Sequence, residues 1–172
     1  GSIQFQTGTT VYTDTSAITS VNQVVASGVT QQYLVKGGQV FYRERSTAGK
    51  WDQYWKNVTS NLSAIGCSSG VTTCGTIVDF NSYTKPNGKF EQHVIKKFGT
   101  DNRIYTRTND TSNGAWSTWT NVSAKLTTVG SGNLTGFTAY TNKDGYITQN
   151  MVRGGKLWER NDIRGWKNAV WK

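Results

Sequence analysis

Apolar and polar residues alternate in short runs along this chain, and glycine or asparagine ends nearly every run. Val40-Phe41-Tyr42-Arg43, Phe137-Thr138-Ala139-Tyr140 and Leu157-Trp158-Glu159-Arg160 are typical. Runs of about four to eight residues with a period near two, bounded by turn residues, predict β-strands. No stretch sustains the helical period, so the predicted helix content is essentially nil. Asn87-Gly88 and Asp144-Gly145 supply hairpin turns, and Gly37-Gly38 and Gly154-Gly155 supply two-residue turns.

The runs recur. Gly28, Gly88 and Gly145 align, as do Gln32, Gln92 and Gln149, and then Arg43, Arg107 and Arg160. The aligned glutamines stand 60 and 57 residues apart, and the middle copy carries four extra residues between its Gln and its Arg. A Gly and a Trp follow each Arg (Trp51, Trp116, Trp166), and a second Trp comes shortly after (Trp55, Trp119, Trp171). Such periodicity marks a repeat architecture. The chain therefore reads as one all-β domain of three tandem four-stranded repeats, about 57–60 residues each, covering roughly 20–66, 77–130 and 134–172. The fourth strand of each is assigned to the Trp pair, and the first copy is read as lacking the Phe-x-x-Tyr strand that the others carry at Phe80–Tyr83 and Phe137–Tyr140. Residues 3–19 are expected to pair with the last copy as a closing strand. Propeller-blade-like units are the favoured architecture, as three blades or as two chains sharing six; a β-trefoil is the alternative. The leading Gly1-Ser2 reads as the remnant of a cleaved tag, which implies a piece cut from a longer chain.

Composition narrows the function. The chain is polar and weakly charged, yet 12% of it is aromatic, unlike disordered sequence. No apolar run is long enough to span a bilayer as a helix, so membrane insertion is not expected. The net charge of +9 favours acidic partners. The basic residues are scattered, however, and no helix-borne nucleic-acid motif is visible, so nucleic acid is not the expected partner. Cys67 and Cys74 flank six small residues, which suits a disulfide in a secreted protein. Five Asn-x-Ser/Thr sequons, beginning with Asn57, are what chance gives in a chain this rich in Asn, Ser and Thr.

Catalytic candidates are few. His93 is the lone imidazole; it reads as a surface strand residue, since the other copies carry Tyr33 and Asn150 there. The acidic residues form no repeated pair suited to general acid–base chemistry, so the chain is read as non-catalytic. No cofactor motif and no metal-ligand cluster occurs. Saccharide binding matches the residues better: aromatic rings stack on the C–H face of a sugar, and polar forks bond its hydroxyls. The candidate ligand-binding set is Trp55, Trp119, Trp171, Arg43, Arg107, Arg160, Gln32, Gln92 and Gln149. Each has a structural alternative: the arginines stacking on neighbouring tryptophans, the glutamines bonding backbone, the second tryptophans packing in the core. For Trp51, Trp116 and Trp166 core packing is the favoured reading.

The run Trp116-Ser117-Thr118-Trp119-Thr120-Asn121-Val122, with Asp144-Gly145-Tyr146-Ile147 and Gly154-Gly155-Lys156-Leu157-Trp158, resembles repeats of bacterial β-propeller lectins. The basic, Thr- and Asn-rich make-up is also similar to C-terminal cell-wall-targeting domains of phage endolysins and secreted peptidoglycan hydrolases, including bacteriocins such as enterolysin. Those resemblances imply a secreted, non-catalytic carbohydrate-binding domain. Its partner would be a cell-wall polysaccharide or peptidoglycan, and it would serve an attached lytic catalytic domain. The alternative is a phage or toxin receptor-binding module.

Overall fold

A computed structural model describes residues 1–172. The chain is nearly all β, arranged as separate antiparallel sheets with no closed barrel. It thus lacks the shared barrel that a β-trefoil requires. A hairpin, β1 (Ile3–Thr7) and β2 (Thr10–Asp14), comes first. Sheet I follows as β3 (Ile18–Ala26), β4 (Val29–Lys36), β5 (Gln39–Arg45) and the two-residue β6 (Lys56–Asn57). Sheet II is β7 (Thr76–Thr84), β8 (Phe90–Phe98), β9 (Asp101–Thr108) and β10 (Thr120–Asn121). Sheet III is β11 (Leu134–Thr141), β12 (Ile147–Arg153) and β13 (Lys156–Asn161).

The three sheets share one register. Gln32 pairs with Arg43, Gln92 with Arg107 and Gln149 with Arg160. The four extra residues of the middle copy simply lengthen the β8–β9 hairpin before its Gly99-Thr100 turn. Each first strand breaks register at the same place, between Ile18 and Ser20, Ile77 and Asp79, and Leu134 and Gly136. Gly37-Gly38 and Gly154-Gly155 both take positive φ at both residues, as the two-residue hairpin turn demands.

Three expectations need correction. The fourth strand is not the Trp pair but the two residues after it, and sheet III has no fourth strand; Lys172 instead exchanges two backbone hydrogen bonds with Glu159. The first copy does have a strand matching Phe80–Tyr83: it is β3, with Val21 and Val24 in those places. The N-terminal segment does not pair with the last copy. It folds on itself and bonds to Trp55, through Gln6 N–H to the Trp55 carbonyl and Trp55 N–H to the Gln4 carbonyl. Phe5 then packs on Phe41 in a tilted arrangement at 5.0 Å, partly burying its ring.

The sheets stack in series. One core layer joins Val35, Val40 and Leu62 of the first unit to Phe80, Val94 and Tyr105 of sheet II. A second joins Ile95, Ile104 and Leu126 to Phe137, Met151 and Trp171. Backbone donors cross both junctions in the same way: Ser82 N–H bonds the Asn22 amide oxygen at 2.9 Å, and Ala139 N–H bonds that of Asn81 at 3.2 Å. Asp79 sits between all three sheets, accepting from the Ser20 hydroxyl and the Phe137 N–H. Its burial holds its carboxyl above the usual carboxylate range.

A cation pins each connector, buried at Lys36 and Lys96 and half-buried at Arg153. Lys96 gives its ammonium to the carbonyls of Leu62, Ser63 and Ile65 at 3.0–3.1 Å. Arg153 bonds those of Thr127, Val129 and Gly132, and Lys36 bonds that of Ser16. All three occupy one register position, so part of the net charge is architectural. Cys67 and Cys74 form a disulfide in the connector between sheets I and II. For so short a loop, the chain-entropy relation gives about 2.5 kcal/mol. A Cys67→Ser, Cys74→Ser double variant should therefore lose about 2–3 kcal/mol in urea unfolding, with binding unaltered.

Candidate functional site

The repeated residues converge on one device. Strand pairing sets each Gln beside its Arg, and the Arg Nε–H donates to the Gln amide oxygen at 2.8 Å in all three units. The guanidinium then lies between two indoles. Arg43 is 4.5 Å from both Trp51 and Trp55. Arg107 is 4.4 Å from Trp116 and 4.7 Å from Trp119. Arg160 is 4.9 Å from Trp166 and 4.6 Å from Trp171. Each cation–π contact contributes about 0.5–2 kcal/mol, more where water is excluded.

The ligand and structural readings therefore apply to different parts of the device. Trp55 and Trp171 are buried and form the floor under the guanidinium. Trp116 and Trp166 are exposed covers, contrary to the core packing expected of them. Gln92 and Gln149 are buried, and the amide oxygen of each accepts the Nε–H of its Arg. Two of the glutamines are themselves held, Gln32 donating to Gln23 at 2.8 Å and Gln92 to the Ser82 hydroxyl at 3.4 Å.

What remains free is the outer edge of each guanidinium. The Nη atoms of Arg43, Arg107 and Arg160 take no protein hydrogen bond, and none of the three forms a salt bridge. Such an edge presents parallel donors suited to a carboxylate, a phosphate or two adjacent hydroxyls. Burial pushes Arg107 and Arg160 below their ordinary range, yet a guanidinium remains charged at neutral pH.

The surroundings of the three edges differ. Arg107 and Gln92 line a cleft of about 190 Å³ between sheets I and II, with Tyr33, Tyr42, Phe80 and Asn61 among its other walls. Tyr33 lies 4.6 Å from Phe80 and 5.0 Å from Tyr42. Burial raises both phenols above their usual range, and the hydrogen bond from Tyr42 to Glu44 adds to the shift there. Both are therefore neutral donors at physiological pH. The cleft is smaller than the roughly 300–1,000 Å³ typical of drug-sized ligands, so it has room for a single small ring. Arg160 opens instead on a hollow of about 300 Å³ at the rim of sheet III, beside Glu159, Arg164 and Asn168. Arg43 faces no opposing sheet.

Sequence reading missed Tyr33, Tyr42 and Phe80 as cleft walls, because the partner surface comes from the neighbouring unit. It also misplaced His93. The imidazole is buried between sheets II and III, 4.4 Å from Phe137, with no partner for Nδ1. Burial pushes its pKa down to about 3. Unfolded histidine takes its proton near pH 6.5, so folding excludes a proton below that pH. Stability attributable to this group is complete above pH 6.5 and falls as pH drops toward 3, by about 1.4 kcal/mol per pH unit. His93→Asn, the side chain of the third unit, should remove this dependence, so that the wild-type-minus-variant difference in urea midpoints falls between pH 7 and 5.

No protein-family model and no curated protein matches the chain. Among solved structures it is similar to a fucose lectin from Kordia zhangzhouensis in complex with methyl-fucoside. The identity is 12% and the TM-score 0.40, over 88% of this chain and 95% of that one. A likeness so distant carries nothing about this chain's ligand.

Proposed function

We propose that this chain is a non-catalytic carbohydrate-binding domain and that the Arg107 cleft is its principal site. The observation that supports the reading most is the guanidinium itself: clamped by Gln92, Trp116 and Trp119, uncompensated by any carboxylate, and edge-on to a cleft walled by aromatic rings. In that cleft a sugar ring stacks its C–H face on Tyr33 or Tyr42. The Nη donors bond adjacent ring oxygens or an acidic substituent. The polar groups lining the cleft are those of Tyr33, Tyr42, Asn61, Gln92 and Arg107, a set suited to bonding hydroxyls.

The preferred target is a bacterial cell-wall polysaccharide or peptidoglycan, bound on behalf of an attached lytic domain outside the cell. The net charge of +9 supports an anionic polymer, and the Cys67–Cys74 disulfide suits an oxidising compartment. The test is sedimentation of fluorescent domain with intact Gram-positive cells and purified sacculi, before and after removal of wall glycopolymers, alongside a broad glycan array. Saturable binding lost on stripping is expected. Absence of binding to cells, sacculi and every arrayed glycan would overturn the proposal.

A further inference from the structure

Sheets I, II and III follow one another by the same face-to-back contact; at the two ends of the series part of the contact face is left uncovered, since the N-terminal hairpin covers only Leu34 and Phe41 of sheet I. Val21 is 65% exposed, whereas its register equivalents Phe80 and Phe137 are 4% and 2% exposed. At the other end Leu157 is 70% exposed, whereas its equivalents Val40 and Ile104 are fully buried. Tyr140 and Tyr83 differ in the same sense. β3 packs on β7 and β7 on β11, with no comparable packing of β3 on β11, so the chain is an arc whose ends do not meet.

We infer that a second copy of this chain covers both faces, its sheet I seating on sheet III of the first and its sheet III on sheet I. The contact continues an interface already present twice within the chain. The place of the connector is already filled at sheet I: Ile3 and Phe5 pack beside Leu34 and Phe41, and Lys36 bonds the Ser16 carbonyl, as Lys96 bonds its own connector. Only a preceding sheet is missing. A face-to-back contact propagates until rotation closes it. Two chains of three sheets make six, within the range of about four to eight at which radially repeated sheets close.

The second copy also completes a site. Asn150 and Glu159 hold the register positions of Tyr33 and Tyr42, the residues facing Arg107. Across the new junction they face Arg43, and the uncompensated guanidinium meets a carboxylate that forms no salt bridge within its own chain. This assembly does not depend on the ligand being a saccharide, since mass alone reports it.

Light scattering on a sizing column at micromolar concentration tests it. The expected mass is twice the 19.0 kDa of one chain. Val21→Glu and Leu157→Glu are both solvent-exposed changes in a lone chain, so each should fold normally by circular dichroism and run as a monomer. Mixing the two variants should restore a two-chain species, because one of its two junctions is then free of substitutions. A wild-type monomer would leave both faces to chain outside residues 1–172 or to another protein, and would overturn the proposal. So would larger open assemblies, or a dimer indifferent to Leu157→Glu, which would be a contact of another kind.

Discussion

Arg107→Met weakens saccharide binding about ten- to a hundredfold while the domain stays folded. The loss is that of charge-assisted hydrogen bonds, roughly 1.5–3 kcal/mol. Methionine keeps much of the stem between Trp116 and Trp119, so packing changes little. Arg107→Lys should lose nearly as much, since an ammonium offers neither the planar stack nor the parallel donors. Trp116→Ala should weaken binding less, because Trp119 and Gln92 still hold the guanidinium from below and beside. Calorimetric titration of the three variants with a glycan retained on the array checks the ranking.

The largest effect on stability is expected at Lys96. Its ammonium satisfies three carbonyls of the connector that carries Leu62 and Ile65 into the core. Lys96→Met leaves those acceptors buried and unbonded, at about 1–3 kcal/mol for each that water does not reach. Removing the desolvated charge offsets part of this: burial already holds the ammonium below its ordinary range. A net loss of about 2–4 kcal/mol follows, against total stabilities of about 5–15 kcal/mol. The melting temperature should fall by about 5–15 °C. Lys36→Met should cost less, since its partners lie in the N-terminal segment rather than between two sheets.

Much of the device was legible because repetition exposes it. Gln, Arg and the Trp pair recur in order, and pairing register compensates for the four extra residues of the middle copy. Which Trp faces solvent was not legible. The pairs lie largely outside regular strands and are spaced differently in each unit, so strand alternation cannot assign their sides. His93 was misread for a related reason. Sheet II is covered on both faces, so its strands have no solvent side and a polar residue there need not be exposed.

Lys36, Lys96 and Arg153 looked like scattered solvating charge. Their common position beside or near the second hairpin turn was the available signal, and the repeat frame makes it visible. The Arg107 cleft had none. Tyr33 and Tyr42 stand in one unit and Arg107 in the next, and only the stacking of sheet I on sheet II brings them together. The same tertiary fact explains why three copies of one clamp are not three copies of one site.

The most direct measurement follows the arginine Nε–H signals in ¹⁵N-labelled protein while a bound glycan is added. The Arg107 signal should shift and saturate with the affinity found by calorimetry. Those of Arg103, paired with Asp101, and Arg153, bonded to connector carbonyls, should stay in place. Saturable binding that leaves the Arg107 signal unmoved would contradict the account.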